Sequence, residues 1–136
     1  MRKGKERFVC DELLAWRLSA VREKKKNAKQ MEALRSLQFH LDLDTVTGLS
    51  SFDRKQVCIP KSCPRNCAQL HSCRYRNYLR DSRSAEILIQ ICNHNYLLAD
   101  AEHRLQGIRP LLSDYRALII DEAHKLPEAA SQMYSK

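Results

Sequence analysis

The stretch Ala117-Leu-Ile-Ile-Asp-Glu-Ala-His124 decides the fold class of this sequence. Its apolar residues at 118–120 predict a short buried strand, and two carboxylates follow that strand at once. Ligands of open α/β sheets bind beyond the carboxyl ends of the strands, so this position is typical of a nucleotide site.

The two carboxylates would have different tasks in such a site. Asp121 would hold Mg²⁺, which prefers oxygen ligands. Glu122 would orient and deprotonate the attacking water. His124 would link the phosphate site to strand-binding elements of a partner domain. The alternative interpretation is a strand that ends in an acidic helix cap.

The residues before and after this stretch predict an alternation of strands and helices. Residues 86–92 are rich in β-branched side chains and predict a second strand. Residues 93–105 predict a helix that ends at 107–110, and Pro127 would open a last helix over 128–134. Strand, helix, strand and helix in this order predict a parallel α/β sheet.

The first part of the chain has a different pattern. Apolar spacing predicts helix over residues 11–41, with a break near 24–27. Residues 45–53 predict a loop, residues 58–73 an irregular cysteine-rich segment, and residues 74–83 a short basic helix. The sequence therefore predicts two domains, a helical cysteine-bearing lobe over 1–84 and part of an α/β domain over 85–136.

The net charge of +8 is unevenly distributed over the two predicted domains. Residues 1–84 carry 19 Lys and Arg against 9 Asp and Glu, a balance of +10, whereas residues 85–136 have a balance of −2. A basic lobe beside a mildly acidic one fits a chain of which one part meets a polyanion, or a solvated basic surface. No apolar run approaches the ~18 residues of a membrane span, and the basic start is not followed by a signal-peptide core, so we expect a cytoplasmic protein without membrane contact.

Four cysteines lie within sixteen residues, as Cys58-x4-Cys63-x3-Cys67-x5-Cys73, and Cys10 lies far upstream. In a reducing compartment such clustered cysteines hold a metal more often than they form disulfides. The set 58, 63, 67 and 73 could form a tetrahedral zinc site, and four thiolates also hold iron–sulfur clusters. Cys92, inside an apolar segment, predicts a small core residue.

Two stretches carry a family resemblance. ALIIDEAHKL, over residues 117–126, resembles the DEAH motif of the DinG/XPD-like superfamily 2 iron–sulfur DNA helicases, and Ile91-Cys-Asn-His-Asn-Tyr-Leu-Leu-Ala-Asp100 resembles the segment that precedes it. The order of features is also similar: a first cysteine, a helical lobe, a cysteine cluster, an Asn-His segment and DEAH. The resemblance covers nearly the whole chain.

The resemblance implies a fold, cofactors and partners. It implies part of a RecA-like P-loop helicase domain with an inserted, mainly helical iron–sulfur lobe. The implied cofactors are a 4Fe-4S cluster, ATP and Mg²⁺, with Cys10, Cys63, Cys67 and Cys73 as cluster ligands and Cys58 as the alternate. The family couples ATP hydrolysis to translocation on single-stranded DNA and to duplex unwinding at DNA junctions, often in DNA repair.

The basic helix supplies the candidate DNA contacts. Arg74, Arg76 and Arg80 offer phosphate contacts, and Tyr75 offers a stacking surface. The alternative is an amphipathic helix whose tyrosines pack inward.

One element of the family is absent from the sequence. No G-x-x-x-x-G-K-[ST] occurs among the 136 residues, which hold only three glycines. The resemblance therefore implies a segment of a longer helicase, whose Walker A region and second RecA-like domain lie elsewhere, and which we expect to be inactive alone. The alternative is a stand-alone zinc or iron–sulfur DNA-binding module without motor activity.

Overall fold

The computed structural model describes residues 1–21 and 25–135. The chain divides into two compact units: Gly4–Ser82, here called the cysteine unit, and Met1–Lys3 together with Arg83–Lys136, here called the carboxy-terminal unit. The sequence predicted a division between residues 84 and 85, whereas the observed division lies two residues earlier and the first three residues join the second unit.

The described residues of the cysteine unit form four α-helices, which are α1 (Asp11–Ala20), α2 (Ala28–Ser36), α3 (Ser51–Val57) and α4 (Arg74–Ser82). The predicted starts at Asp11 and Arg74 are confirmed. Acidic residues fill the first turn of α1, where they favour the helix N-terminus. A 3₁₀ turn over Lys25–Asn27 precedes α2, so the predicted helical region contains two helices. Residues 22–24, where the predicted break begins, lie outside the described residues.

The predicted loop over residues 45–53 is wrong in its second half, because α3 begins there. The hydroxyl of Ser50 accepts a hydrogen bond from the backbone N–H of Asp53 at 3.0 Å and caps the helix. Such a cap replaces one of the hydrogen bonds that the first turn of a helix lacks. The spacing of Ser50 and Asp53 was therefore a helix signal that the loop interpretation overlooked.

An apolar core holds the helices of the cysteine unit together. It consists of Val9, Leu14, Leu34, Leu37, Leu43 and Val57. Beside it, the carboxylate of Asp53 is 1% exposed and accepts hydrogen bonds from Arg17 of α1 at 2.7 Å and from Gln30 of α2 at 2.9 Å. One buried carboxylate on α3 thus connects three helices.

The carboxy-terminal unit contains α5 (His94–Leu105) and α6 (Leu126–Tyr134), with a 3₁₀ turn over Ala123–Lys125 before α6. Both predicted helices are confirmed. Asn93 caps α5 by accepting from the backbone N–H of Tyr96 at 2.8 Å. Gly107 follows α5 with φ +68°, a conformation in which a side chain would be strained. None of the described helices has the length and apolar character needed to cross a membrane.

The two predicted strands are wrong for this structure. Residues 86–92 and 118–120 form no ladder within the described parts of the chain, and the first segment has only an isolated parallel bridge between Cys92 and Arg2. A stable strand needs a ladder of hydrogen bonds to another strand, and among the described residues the first segment has only the bridge to Arg2 and the second has no bridge. Their apolar side chains consequently face solvent, with Leu88 92% and Ile119 94% exposed.

A side chain connects the first of these segments to the region before the second. The amide of Gln90 donates to the carbonyl of Ser113 at 3.2 Å and accepts from its N–H at 2.9 Å. Leu112, the residue before Ser113, is fixed by the buried carboxylate of Asp100. This carboxylate accepts a hydrogen bond from the N–H of Leu112 at 2.7 Å and one from Arg104 at 2.8 Å. Side-chain to backbone hydrogen bonds therefore hold residues 112 and 113, which precede the acidic stretch, as residues 121–124 are called here.

Candidate functional site

A short extended segment, Phe8 to Cys10, lies between two other parts of the cysteine unit. Phe8 forms an antiparallel bridge with Asp42, and Val9 forms one with Cys58. The N–H of Cys10 donates to the carbonyl of Val57 at 2.7 Å, and the N–H of Ile59 donates to the carbonyl of Phe8 at 2.9 Å. The first cysteine of the chain is thus fixed beside the beginning of the cysteine-rich segment.

The antiparallel pairing of Val9 with Cys58 assigns the side chains of Cys10 and Cys58 to opposite sides of the paired segments. Residues directly opposite each other in an antiparallel pair face the same side, whereas successive residues of one strand face opposite sides. Val9 is buried in the core, and Cys58, its partner, packs against that core. Cys10 therefore belongs to the other side, as does Phe8, whose ring contacts Tyr75 and Tyr78 of α4. This register favours Cys10 over Cys58 as a member of the cysteine cluster.

Two cluster cysteines lie close enough to Cys10 to affect its ionisation. Burial raises the pKa of the Cys10 thiol, and Cys63 and Cys67 raise it further, while the backbone N–H groups of Leu13 and Glu12 act in the opposite direction. A thiol must lose its proton to bind a metal, so a bound metal would have to displace this proton.

Cys73 is placed by its neighbour in the sequence. Arg74 forms an ion pair with Asp11, the residue after Cys10, at 2.6 Å. The four cysteines that the resemblance implies as ligands thus lie in one unit and are all free of disulfides. Cys92, by contrast, belongs to the carboxy-terminal unit.

These thiols do not form a finished coordination site. No group of three or more His, Cys, Asp or Glu side chains within residues 1–21 and 25–135 is arranged to hold a metal ion. The four thiols nevertheless have the composition of a thiolate-held cluster site. All four cysteines are free, and Cys63 and Cys67 lie near enough to Cys10 to raise the pKa of its thiol. Cys63 is exposed and the other three are half-buried, so the loop between them is accessible from solvent.

The basic helix α4 uses part of its predicted DNA-binding set for packing. The guanidinium of Arg74 donates to Asp11 and to the carbonyls of Leu37 and Gln38 at 2.8 and 3.0 Å. The ring of Tyr75 lies 5.3 Å from that of Phe8 and 6.3 Å from that of Tyr78. The inward packing of the tyrosines, left as an alternative by the sequence, is what the structure has. Arg76 and Arg80 remain exposed.

The acidic stretch is exposed in the carboxy-terminal unit. A carboxylate oxygen of Asp121 accepts from the N–H of Glu122 at 2.8 Å. The Glu122 carboxylate lies 2.7 Å from the Lys125 ammonium and 3.5 Å from Nε2 of His124. The side chains of Glu122 and His124 thus lie close together, whereas that of Asp121 bonds to the backbone of Glu122.

The backbone at this point has an unusual conformation. Glu122 has φ +52°, in the left-handed region that residues other than glycine seldom occupy. Neither its side chain nor that of Asp121 caps α6, whose N-cap residue is Lys125 and has no side-chain cap. Glu122 is, however, the N-cap residue of the 3₁₀ turn over Ala123–Lys125 that leads into α6, so the acidic-cap interpretation agrees in position although the side-chain hydrogen bond of a cap is absent. A strained non-glycine residue is also typical of functional sites.

His94 also lies beside the acidic stretch, although the sequence gave it no role in this site. Nε2 of His94, at the start of α5, lies 2.9 Å from the backbone carbonyl of Asp121. His94 also lines an open cleft of about 330 Å³ whose other lining residues are Asn93, Asn95, Lys125, Glu128, Ala129 and Gln132. The Asn-His pair before the helix was the available signal.

The comparisons with known proteins show a similarity to a DNA helicase. The protein is the ATP-dependent DNA helicase YoaA of Haemophilus influenzae, which is 23% identical over 148 aligned positions. The alignment covers 98% of this chain and 22% of the helicase, so the chain spans less than a quarter of that protein's length. The similarity supports a helicase-related family. No family model and no solved structure matches the chain.

Proposed function

We propose that this chain is the segment of an ATP-dependent DNA helicase that carries an iron–sulfur lobe and the magnesium-binding and water-activating end of the ATPase site. The observation that carries the proposal is the similarity to a DNA helicase over 98% of the chain, since it spans the cysteine cluster and the acidic stretch together. A metal-binding module alone would be expected to align with a helicase over the cysteine unit only, whereas the alignment extends over both regions.

The proposed cluster ligands are Cys10, Cys63, Cys67 and Cys73. The pairing of Val9 with Cys58 supports this set, because it directs Cys58 to the core. A bound cubane cluster would hold the irregular segment over residues 58–73 by three iron–thiolate bonds and would tie it to Cys10 by the fourth.

The proposed ATPase residues are Asp121 for Mg²⁺, Glu122 as the base and His124 as the link to the rest of the motor. Phosphoryl transfer depends on positioning and electrostatic stabilisation from both sides of the phosphates. The Walker A region and the second RecA-like domain would supply the other side, within a RecA-like fold whose sheet would pair the apolar segments that are exposed here.

Single-stranded DNA and DNA junctions are the proposed partners of the basic lobe. Arg76 and Arg80 are exposed on α4, so they can reach phosphates. Arg74 and Tyr75 contribute indirectly, because their contacts hold α4 against the rest of the cysteine unit.

A second candidate is a stand-alone cysteine-cluster DNA-binding module without motor activity. It is favoured by the cysteine unit, which is a compact unit with an apolar core of its own. The gene decides between the two: a reading frame that also encodes a Walker A loop and a second motor domain supports the helicase.

The experiment that tests the proposed cluster is purification without oxygen, followed by determination of iron, sulfide and zinc. We expect a brown protein with close to four irons per chain. Cys73→Ser should lose the iron, whereas Cys58→Ser, the matched control within the same segment, should retain it. Stoichiometric zinc without iron or sulfide would refute the cluster, and loss of iron in Cys58→Ser but not in Cys10→Ser would refute the ligand set.

A further inference from the structure

An ion pair links the residues that follow the first and the last proposed ligands. Asp11 follows Cys10, and Arg74 follows Cys73. The Asp11 carboxylate accepts from Nε of Arg74 at 2.8 Å, from Nη2 at 2.6 Å and from the backbone N–H of Arg74 at 3.2 Å. Three hydrogen bonds to one carboxylate define both the distance between the two residues and their orientation.

The same guanidinium is also attached to the helical core. Its Nη2 donates to the carbonyl of Leu37 at 2.8 Å, and Nη1 donates to that of Gln38 at 3.0 Å, just beyond α2. Leu37 is fully buried. The side chains of Arg74 and Asp11 are 30% and 18% exposed, so this pair is better shielded from water than a surface ion pair.

We propose that Asp11 and Arg74 are positioning residues that hold the Cys10 and Cys73 thiols within common reach of one cluster. The inference rests on the proposed cluster, and it assigns to Arg74 a task other than contact with DNA. Cys10 and Cys73 are separated by 63 positions, and adjacent Cα atoms lie only ~3.8 Å apart. Fixing the two neighbours therefore restricts both cysteines before any metal arrives.

The test compares Arg74→Gln with Asp53→Asn. Both changes remove a partly shielded Arg–Asp ion pair of the cysteine unit, but the pair of Asp53 and Arg17 joins α1 to α3 rather than two cysteines. The first readout is the rate at which an iron chelator removes iron from the loaded protein, and circular dichroism gives the melting temperature of each metal-free chain. Arg74→Gln should accelerate iron loss by about tenfold or more, the usual effect of removing a residue that orients a ligand. Asp53→Asn should lower the melting temperature at least as much without that acceleration.

A second readout needs no metal. In a chain whose other four cysteines are Ser, a short bifunctional thiol reagent should join Cys10 to Cys73 rapidly. Arg74→Gln should slow this reaction, and Arg74→Lys, which keeps the charge but not the forked hydrogen bonds, should fall between the two. If Arg74→Gln does not fold, Arg74→Lys against the unchanged chain gives the same comparison.

The outcomes separate the two proposals. Unchanged iron loss and unchanged cross-linking in Arg74→Gln would overturn the positioning role and leave the cluster standing. A wild-type chain without iron would overturn the cluster, and the cross-linking rates would then decide the positioning role alone.

Discussion

Replacement of Asp53 by Ala should destabilise the cysteine unit by about 2–4 kcal/mol. The charge-assisted hydrogen bond from Arg17 contributes about 1.5–3 kcal/mol and the neutral one from Gln30 about 0.5–1.5 kcal/mol. Loss of one partner of a buried ion pair costs about 3–5 kcal/mol when the other charge stays buried. The Arg17 side chain is 22% exposed and recovers part of its hydration, so the lower part of that range applies.

The measurement is urea unfolding at neutral pH, followed by circular dichroism. The matched control is Asp81→Ala, which removes an ion pair with Arg80 whose side chains are 71% and 74% exposed. This control should change the free energy of unfolding by no more than about 0.5 kcal/mol. Equal effects of the two substitutions would refute the argument from burial.

The effect of Asp53 should also depend on pH in a defined direction. Burial by itself raises the pKa of Asp53, but the hydrogen bonds from Arg17, Gln30 and Ser50 outweigh it and lower the pKa below its usual value. A carboxyl whose pKa is lower in the folded state stabilises the fold above its unfolded pKa of about 3.9, and this contribution is lost as the pH falls through the folded pKa. The difference between wild type and Asp53→Ala should therefore shrink on acidification below about pH 4. A constant difference down to pH 2 would contradict the assignment.

Three further predictions concern the core, the DNA and the acidic stretch. Leu34→Ala, at a position with 0% exposure, should cost about 3 kcal/mol in urea unfolding, and a loss below about 1 kcal/mol would contradict its place in the core. Arg76→Ala with Arg80→Ala should weaken single-stranded DNA binding and reduce the slope of log K against log salt by about 1.4 for two phosphate contacts, and an unchanged slope in fluorescence titrations would exclude them. The chain alone should show no ATPase activity. In a longer protein that contains the Walker A region, Glu122→Gln should abolish ATP turnover and spare nucleotide binding. Unchanged turnover in this variant would refute the role of Glu122 as the base.

Local signals in the sequence predicted the elements that depend on neighbouring residues. The start of α1 at Asp11, the end of α5 just before Gly107 and the start of α6 beside Pro127 are determined within one helical turn, so a single sequence contains their signals. The two predicted strands failed for the opposite reason. Their composition favours extended backbone, but a strand needs distant partners, which local composition does not supply.

The sequence also could not predict the contacts that surround Cys10 and Cys73. The sequence predicted a phosphate contact for Arg74 and gave Asp11 no task beyond the first turn of a helix, and Tyr75 looked equally suited to DNA and to packing. Only the pairing of residues 63 positions apart shows that Arg74 is engaged. The place of Cys58, which the sequence left as the alternate ligand, was also beyond the sequence, because the spacing of cysteines does not show that Cys58 pairs with Val9 and packs against the core.

Because Val9 and Cys10 are adjacent, the orientation of the Cys10 thiol depends on the packing of the helical core. Val9 is buried in the core, and Cys10 belongs to the opposite side of the same extended segment. Because side chains alternate along a strand, a shift of the register by one residue would bring the thiol into the core and the valine to the cysteine loop. The hydrogen bonds of this segment to Val57 and Ile59 resist such a shift only while Val57, itself fully buried, stays packed. Core packing therefore fixes the side to which the first thiol faces, and any metal bound there would in turn stabilise the register that holds it.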